Sequence, residues 1–242
     1  MKLQKNLIYN SEWNILVVLD ACRYDVFKEK YGKMFNVEAV KSLGSCTVEW
    51  FKNTFDKKIE NSIYVSGNPY VNSYSVEVSR YKYRALDFFD KIINVWDFGW
   101  SQINGIYTVD PAEVYRYATI VSKLYPRSKI VVHFLQPHAP YPMCSKFRKY
   151  FENRKNAPDL KFWDAIRKGV LNITRSELKE CYIRNLEWVM KYVLKLISKA
   201  KNKTVIITAD HGEGFGENNI YNHPCGVKTI ELTTVPWVRV ET

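Results

Sequence analysis

Short apolar runs that break abruptly on acidic or polar residues recur along the chain. NILVVLD (14–20) has the make-up of a buried strand and stops at an acid. NSIYVSGNP (61–69) predicts a second strand, halted by Gly67 and Pro69, and KIINVWDFG (91–99) a third. SKIVVHFLQPH (128–138) and KTVIITAD (203–210) repeat the form, each running through an apolar core into polar positions. TTVPWVRVE (233–241) is a last strand, expected at a sheet edge because Pro236 has no N–H for a ladder.

Between these runs the apolar period changes to that of a helix. ACRYDVFKEKYG (21–32) predicts a short helix closed by Gly32. DPAEVYRYATIVSKLYP (110–126) predicts another, with Asp110 at the N-cap, Pro111 at N1, Glu113 closing a capping box and Pro126 ending it. Thr174 and Glu177 form a second capping box, after which Leu178, Cys181, Tyr182, Leu186, Val189 and Val193 recur at helical spacing. Residues 140–172 are aromatic, basic and without a clear period, and read as a lid or an insertion. Strands alternating with helices predict an α/β fold, a mostly parallel central sheet sandwiched by helices, in a single domain over 1–242. In such sheets ligands bind outside the carboxyl ends of the strands. Asp20, Gln136, His138, Asp210 and His211 all fall at that edge.

Composition narrows the class. Hydrophobic residues make up 46% of the chain and aromatics 15%, which suits a folded globular protein. No stretch approaches the roughly 18 consecutive apolar residues of a membrane-spanning helix. The start, MKLQKNLIYNSEW, lacks the apolar centre and cleavage site of a signal peptide. A cytoplasmic protein is expected, peripheral to the membrane at most. Five scattered cysteines without a CxxC pair suggest neither a disulfide scaffold nor a zinc finger. The net charge of +11 favours anionic partners: phosphate or sulfate groups, nucleic acid or an anionic surface.

Four segments carry candidate chemistry. In TADHGEGFGE (208–217) a carboxylate and an imidazole stand side by side at a strand end. Alone, they read as an N-capping acid beside a surface histidine; they are equally good ligands for Zn²⁺ or Mn²⁺. Asp20 offers a third ligand from the neighbouring strand. SLGSCTVEWF (42–51) places Thr47 near the N-terminus of a helix running through Trp50 and Phe51, where the backbone N–H groups favour negative charge. A hydroxyl there, on a metal, would lose its proton more readily and could attack phosphorus or sulfur. HFLQPHAPYP (133–142) supplies His133, Gln136 and His138. His133 lies inside the strand and is expected to be a satisfied core histidine, whereas Gln136 at the strand's end and His138 past it are expected substrate contacts. YNHP (221–224) brings His223 in a loop, able to bind an anion or protonate a leaving group.

The order VVLDACRYD, GSCTVEWF, HFLQPHAPY and TADHGEGFGE, then YNHP, resembles the alkaline phosphatase superfamily in its sulfatase-like branch, from Asn14 to about Val240. The resemblance implies an alkaline-phosphatase-like core with Asp20, Thr47, Asp210 and His211 on one divalent metal and Thr47 as the nucleophile of a covalent intermediate. It implies that His138 and His223 bind the transferred anion, His223 also assisting the leaving group, with Arg23 adding charge. Zn²⁺ or Mn²⁺ is the expected ion, ahead of Mg²⁺ or Ca²⁺. The formylglycine-forming signature of sulfatases is missing after Cys46, and the residue four before His138 is Phe134 where two-metal phosphatases carry Asp. A phosphate-ester hydrolase or transferase is therefore expected. Sulfate-ester hydrolysis is the second reading, and a non-catalytic binder of nucleic acid or anionic surfaces the third.

Overall fold

Eight strands form the central sheet of the computed structural model, which describes residues 1–151 and 160–242. In chain order they are β1 (Lys2–Leu3), β2 (Ile15–Asp20), β3 (Glu38–Lys41), β4 (Ser62–Ser66), β5 (Lys91–Asn94), β6 (Lys129–Pro137), β7 (Thr204–Ala209) and β8 (Thr234–Glu241). In space the order is β1-β3-β8-β7-β2-β6-β4-β5. Neighbours run parallel, except that β8 is antiparallel to both β3 and β7. Strand β2 is buried at all six positions, and so are nearly all of β6 and β7. A strand covered on both faces has no reason to alternate, which is why these three read as unbroken apolar runs.

The main helices are α1 (Gln4–Asn10), α2 (Tyr24–Tyr31), α3 (Thr47–Thr54), α4 (Pro111–Leu124) and α5 (Arg175–Lys199). Helix α5 starts on the predicted box: the Thr174 hydroxyl accepts from Glu177 N, and the Glu177 carboxylate accepts from Thr174 N. At α4 only half of the device forms. Asp110 accepts from Ala112 N at 2.8 Å, but the Glu113 carboxylate turns outward to Arg116. Helices α4 and α5 pack on each other and on β6. Among the described residues no helix is long and apolar enough to cross a membrane.

Three further expectations need correction. The strand predicted over 91–99 is extended only at Lys91–Asn94, and Val95–Phe98 form a helical turn. Strand β8 lies inside the sheet, not at its edge. It changes partner midway, pairing with β3 over 234–237 and with β7 over 238–241. Pro236 falls in the first half, where β7 has already diverged, so its missing N–H interrupts no two-sided ladder. The cysteines also pair: Cys46 with Cys225, and Cys144 with Cys181. Separations of 179 and 37 residues left no spacing signal in the sequence. Cys22 is free and buried.

Of the expected lid or insertion at 140–172, residues 152–159 lie outside the described residues. The flanking parts form an aromatic cluster in which Phe162 stacks on Phe151 at 4.7 Å and meets Tyr141 edge-on at 5.8 Å.

Candidate active site

Strand register assembles the site. Val18 of β2 pairs with His133 of β6 on one side and with Thr208 of β7 on the other. Side chains two residues further along return to the same face. Asp20 and Asp210 therefore stand one pleat above His133 and Thr208. Asn68, two residues past Ser66 (itself paired with His133), reaches the same level and donates to Asp20 Oδ2 at 2.6 Å. Strand β6 bulges before its end, so that Pro137 rather than residue 135 pairs with Asp20, and His138 N then donates to Asp20 O. On α5, Asn185 holds this turn through the carbonyls of His138 and Pro140.

Helix α3 closes the face, with Thr47 as its first residue. The loop before it can lie this close only because residue 44 is Gly, since a Cβ there would fall 2.1 Å from Trp50 N. Gln4 ties the parts together: its amide donates to Thr208 Oγ1 and Ala209 O, and its oxygen accepts from Trp50 Nε1. Ala21 takes a left-handed φ of 59°, a conformation costing about 1–2 kcal/mol for an L-residue. It is held there by Asp210 Oδ1 on its N–H and by the Tyr182 hydroxyl on its carbonyl.

The result is a buried cluster. Thr47 Oγ1 donates to Asp210 Oδ2 at 2.8 Å and lies 3.4 Å from His211 Nε2. His211 Nε2 is 3.3 Å from Asp210 Oδ2 and 3.5 Å from Asp20 Oδ1. None of these four residues is more than 5% exposed. Burial pushes the His211 imidazole down to about 4, against the pull of Asp210. Burial also raises the Asp210 carboxyl, but the imidazoles of His211 and His133, the Thr47 hydroxyl and the Ala21 amide outweigh it and keep the group ionised. His211 Nδ1 lies 2.8 Å from Gly212 O, and a carbonyl can only accept, so Nδ1 carries the hydrogen and Nε2 is bare. That lone pair faces Asp210 Oδ2, Asp20 Oδ1 and Thr47 Oγ1, the Thr47 hydrogen being given to Asp210. Two buried carboxylates and a hydroxyl around an imidazole nitrogen make a donor set that a divalent ion matches.

Outside this cluster sits a second, half-buried group. The rings of His138 and His223 are 4.7 Å apart, and His223 is 4.4 Å from His211. Glu213 Oε1 lies 3.3 Å from His223 Nδ1, and ligating atoms of His138, Glu213 and His223 fall within 4.8 Å of one another. Three ties fasten the His223 loop to the start of α3. One is the Cys46–Cys225 disulfide. The second is the Glu49 carboxylate, which accepts from Ser45 N, Ser45 Oγ and Gly226 N. The third is the Ser45 hydroxyl, shared between Glu49 and Pro224 O. Burial raises the Glu49 pKa and those hydrogen bonds lower it, for a net fall.

Two expected substrate contacts are not brought here. The Arg23 guanidinium is occupied by Asp25, Glu217 and the Glu213 carbonyl, with its carbon 4.5 Å above the Phe215 ring. It pins the glycine-rich hairpin (Gly214–Glu217 and Ile220–Asn222) instead of facing a ligand. Gln136 is fully buried and donates to Thr108 Oγ1 and Val109 O, tying β6 to a separate hairpin of Trp100–Ile103 and Ile106–Val109. Conversely, sequence reasoning passed over Asn68, a polar residue two positions past the end of a buried strand. It also passed over Glu213, which no periodicity marks, and over His133 as a neighbour of Asp210.

The sulfatase family model matches residues 43–237. No curated protein matches the chain. Among solved structures, the integral membrane lipooligosaccharide phosphoethanolamine transferase A of Neisseria meningitidis is similar at TM-score 0.60 and 15% identity, over 96% of this chain and 48% of that one. The C-terminal periplasmic domain of phosphoethanolamine transferase EptC from Campylobacter jejuni is similar at 0.57 and 17%, over 94% and 78%. The corresponding Escherichia coli domain, in complex with Zn, follows at 0.52 and 14%, over 100% and 75%. This chain thus spans about half the length of the Neisseria transferase. The cytoplasmic expectation is overturned by these comparisons, because the Campylobacter and Escherichia structures are periplasmic domains. That expectation rested on MKLQKNLIYNSEW carrying no leader pattern, from which no location follows.

Proposed function

The chain belongs to the sulfatase family, and on that premise we propose that it is a metal-dependent phosphate-ester hydrolase or transferase working outside the cytoplasm, with Thr47 as its nucleophile. The observation that carries this is the buried Thr47 hydroxyl, 2.8 Å from an ionised carboxylate and 3.4 Å from a bare imidazole nitrogen. Asp20, Thr47, Asp210 and His211 would hold one Zn²⁺ or Mn²⁺. Bound there, the ion makes the hydroxyl more acidic and offsets charge on the phosphoryl group.

The chain's own residues supply the remainder. Asp210 Oδ2 is the first acceptor of the Thr47 proton. Thr47 Oγ1 attacks phosphorus in line, and the bond to the leaving oxygen breaks. His223 gives that oxygen its proton, Glu213 steadying the imidazolium that precedes transfer. Asn68, whose amide is 3.2 Å from Thr47 Oγ1, donates to a phosphoryl oxygen, and His138 contacts the same group. Water or an acceptor alcohol then attacks the phosphothreonine and gives its proton to His223, while the bond from phosphorus to Thr47 Oγ1 breaks and Asp210 returns the proton to that oxygen.

The pairing of Cys46 favours phosphate over sulfate chemistry. Its sulfur is committed to Cys225, leaving Thr47 as the nucleophile and no free thiol for conversion to formylglycine. Metal content of the purified protein, read element by element beside an Asp210→Asn variant, tests the proposal. The expected outcome is about one zinc or manganese per chain, lost in the folded variant, together with turnover of bis(p-nitrophenyl) phosphate but not of p-nitrocatechol sulfate. No bound metal after supplementation would overturn it.

A further inference from the structure

From the same geometry we infer that His133 is a positioning residue for the cation site, its Nε2–H donating to Asp210 Oδ2 and setting the direction of that carboxylate. The inference rests on reading Asp20, Thr47, Asp210 and His211 as that site. His133 is fully buried in β6, on the sheet face that carries Asp210 one pleat above it. The Trp50 ring covers it edge-on at 5.9 Å.

The placement of hydrogens decides the role. His133 Nδ1 is 2.8 Å from the Tyr64 hydroxyl, and among the described residues that hydroxyl has no other hydrogen-bond partner. Tyr64 is itself fully buried, against Phe51 and Phe89. If its oxygen merely accepted, its own hydrogen would be stranded among aromatic rings, an unmet donor that burial penalises. Tyr64 therefore donates, Nδ1 accepts, and a neutral ring carries its hydrogen on Nε2. That nitrogen makes no hydrogen bond among the described residues and faces Asp210 Oδ2 at 3.8 Å.

Asp210 has room for it. Oδ1 is taken by the N–H groups of Ala21 and His211, while Oδ2 has Thr47 at 2.8 Å and His211 Nε2 at 3.3 Å. At 3.8 Å the His133 contact lies just beyond hydrogen-bond range, and the inferred hydrogen bond requires it to shorten when the site is filled. The opposite arrangement, with Nε2 bare and ligating the ion, would place the ring hydrogen on Nδ1 and strand the Tyr64 hydroxyl. Tyr64, His133 and Asp210 thus form a chain of donors ending on a ligand, the kind of outer support whose loss typically weakens metal binding 10–100-fold.

The test is zinc affinity, measured by competition with a chromophoric chelator, for wild type and for His133→Phe, His133→Gln and Tyr64→Phe. The Phe variant keeps the ring volume and should bind zinc roughly 10–100-fold more weakly. The Gln variant, with an N–H at similar reach, should recover most of the loss, and Tyr64→Phe should shift affinity the same way by less. Metal-free melting temperatures separate this from a general loss of stability, and the Gln and Tyr64 variants decide the matter if the Phe variant does not fold. The visible spectrum of the cobalt(II)-substituted Gln variant should match wild type, because no ligand has changed. Wild-type zinc affinity in His133→Phe, or a cobalt spectrum showing altered coordination, overturns the inference alone. A wild type that binds no zinc overturns the cation reading and this inference with it.

Discussion

Two groups of reactive side chains lie next to each other in this molecule and are built in opposite ways. The inner one, Asp20, Thr47, Asp210 and His211 with His133 beneath, is buried almost completely and anchored on strand ends and a helix start. The outer one, His138, Glu213 and His223, belongs to turns and is half-exposed at both histidines. Register in a sheet tolerates no slippage, because one residue of shift would turn every side chain to the other face. The inner group therefore has fixed geometry, as a cation demands. The outer group depends on a disulfide, on Glu49 and on Asn185 for its placement, and the partial exposure of its histidines suits the entry and departure that the proposed reaction requires.

If this division holds, variants in the two groups separate in what they abolish. Thr47→Ala should have the largest effect, lowering phosphodiester turnover by roughly 10³-fold or more and removing any phosphorylated protein seen by intact mass. Residual activity near wild type would mean that another residue attacks. Next comes His223→Ala, expected to cost about 10²–10⁴-fold in turnover with leaving groups that need a proton, while metal content stays unchanged. Loss of metal in that variant would erase the boundary between the groups.

Smaller effects test how the outer loop is tied. Replacing Cys46 and Cys225 together by Ser should reduce unfolding free energy by about 2–4 kcal/mol in a denaturant titration, with zinc still bound. Glu49→Gln should cost about 1.5 kcal/mol, since it keeps the shape but weakens three hydrogen bonds to a charged acceptor. Hydrogen exchange should locate that loss at residues 222–228. A loss spread evenly over the sheet would show that Glu49 serves general stability and does not hold the His223 loop.

Much of this molecule could be read from its chain, because the informative signals were local. A buried strand shows itself as an apolar run, its end as a polar residue, and a helix start as Thr174 with Glu177 three positions later. Asp20, Asp210 and His211 were legible for the same reason: each lies where an apolar run stops. Asn68 lies two residues past the end of its strand, and extending the rule by two positions would have found it. Arg23 misled because its charge suggested a ligand, whereas Asp25 and Glu217, two and 194 residues away, occupy it. Pro236 misled because the edge rule assumes one partner per side along a whole strand, and β8 exchanges its partner partway.

Strand ends, helix caps and the order of segments were thus set by sequence alone, since each depends on residues within a turn or two of one another. Which cysteines meet, which face His133 shares with Asp210, how Glu49 reaches Gly226 and which nitrogen of His211 is bare were decided by the tertiary structure. Those contacts join residues far apart in the chain, and their free energy depends on burial and alignment that exist only once the sheet has closed around them.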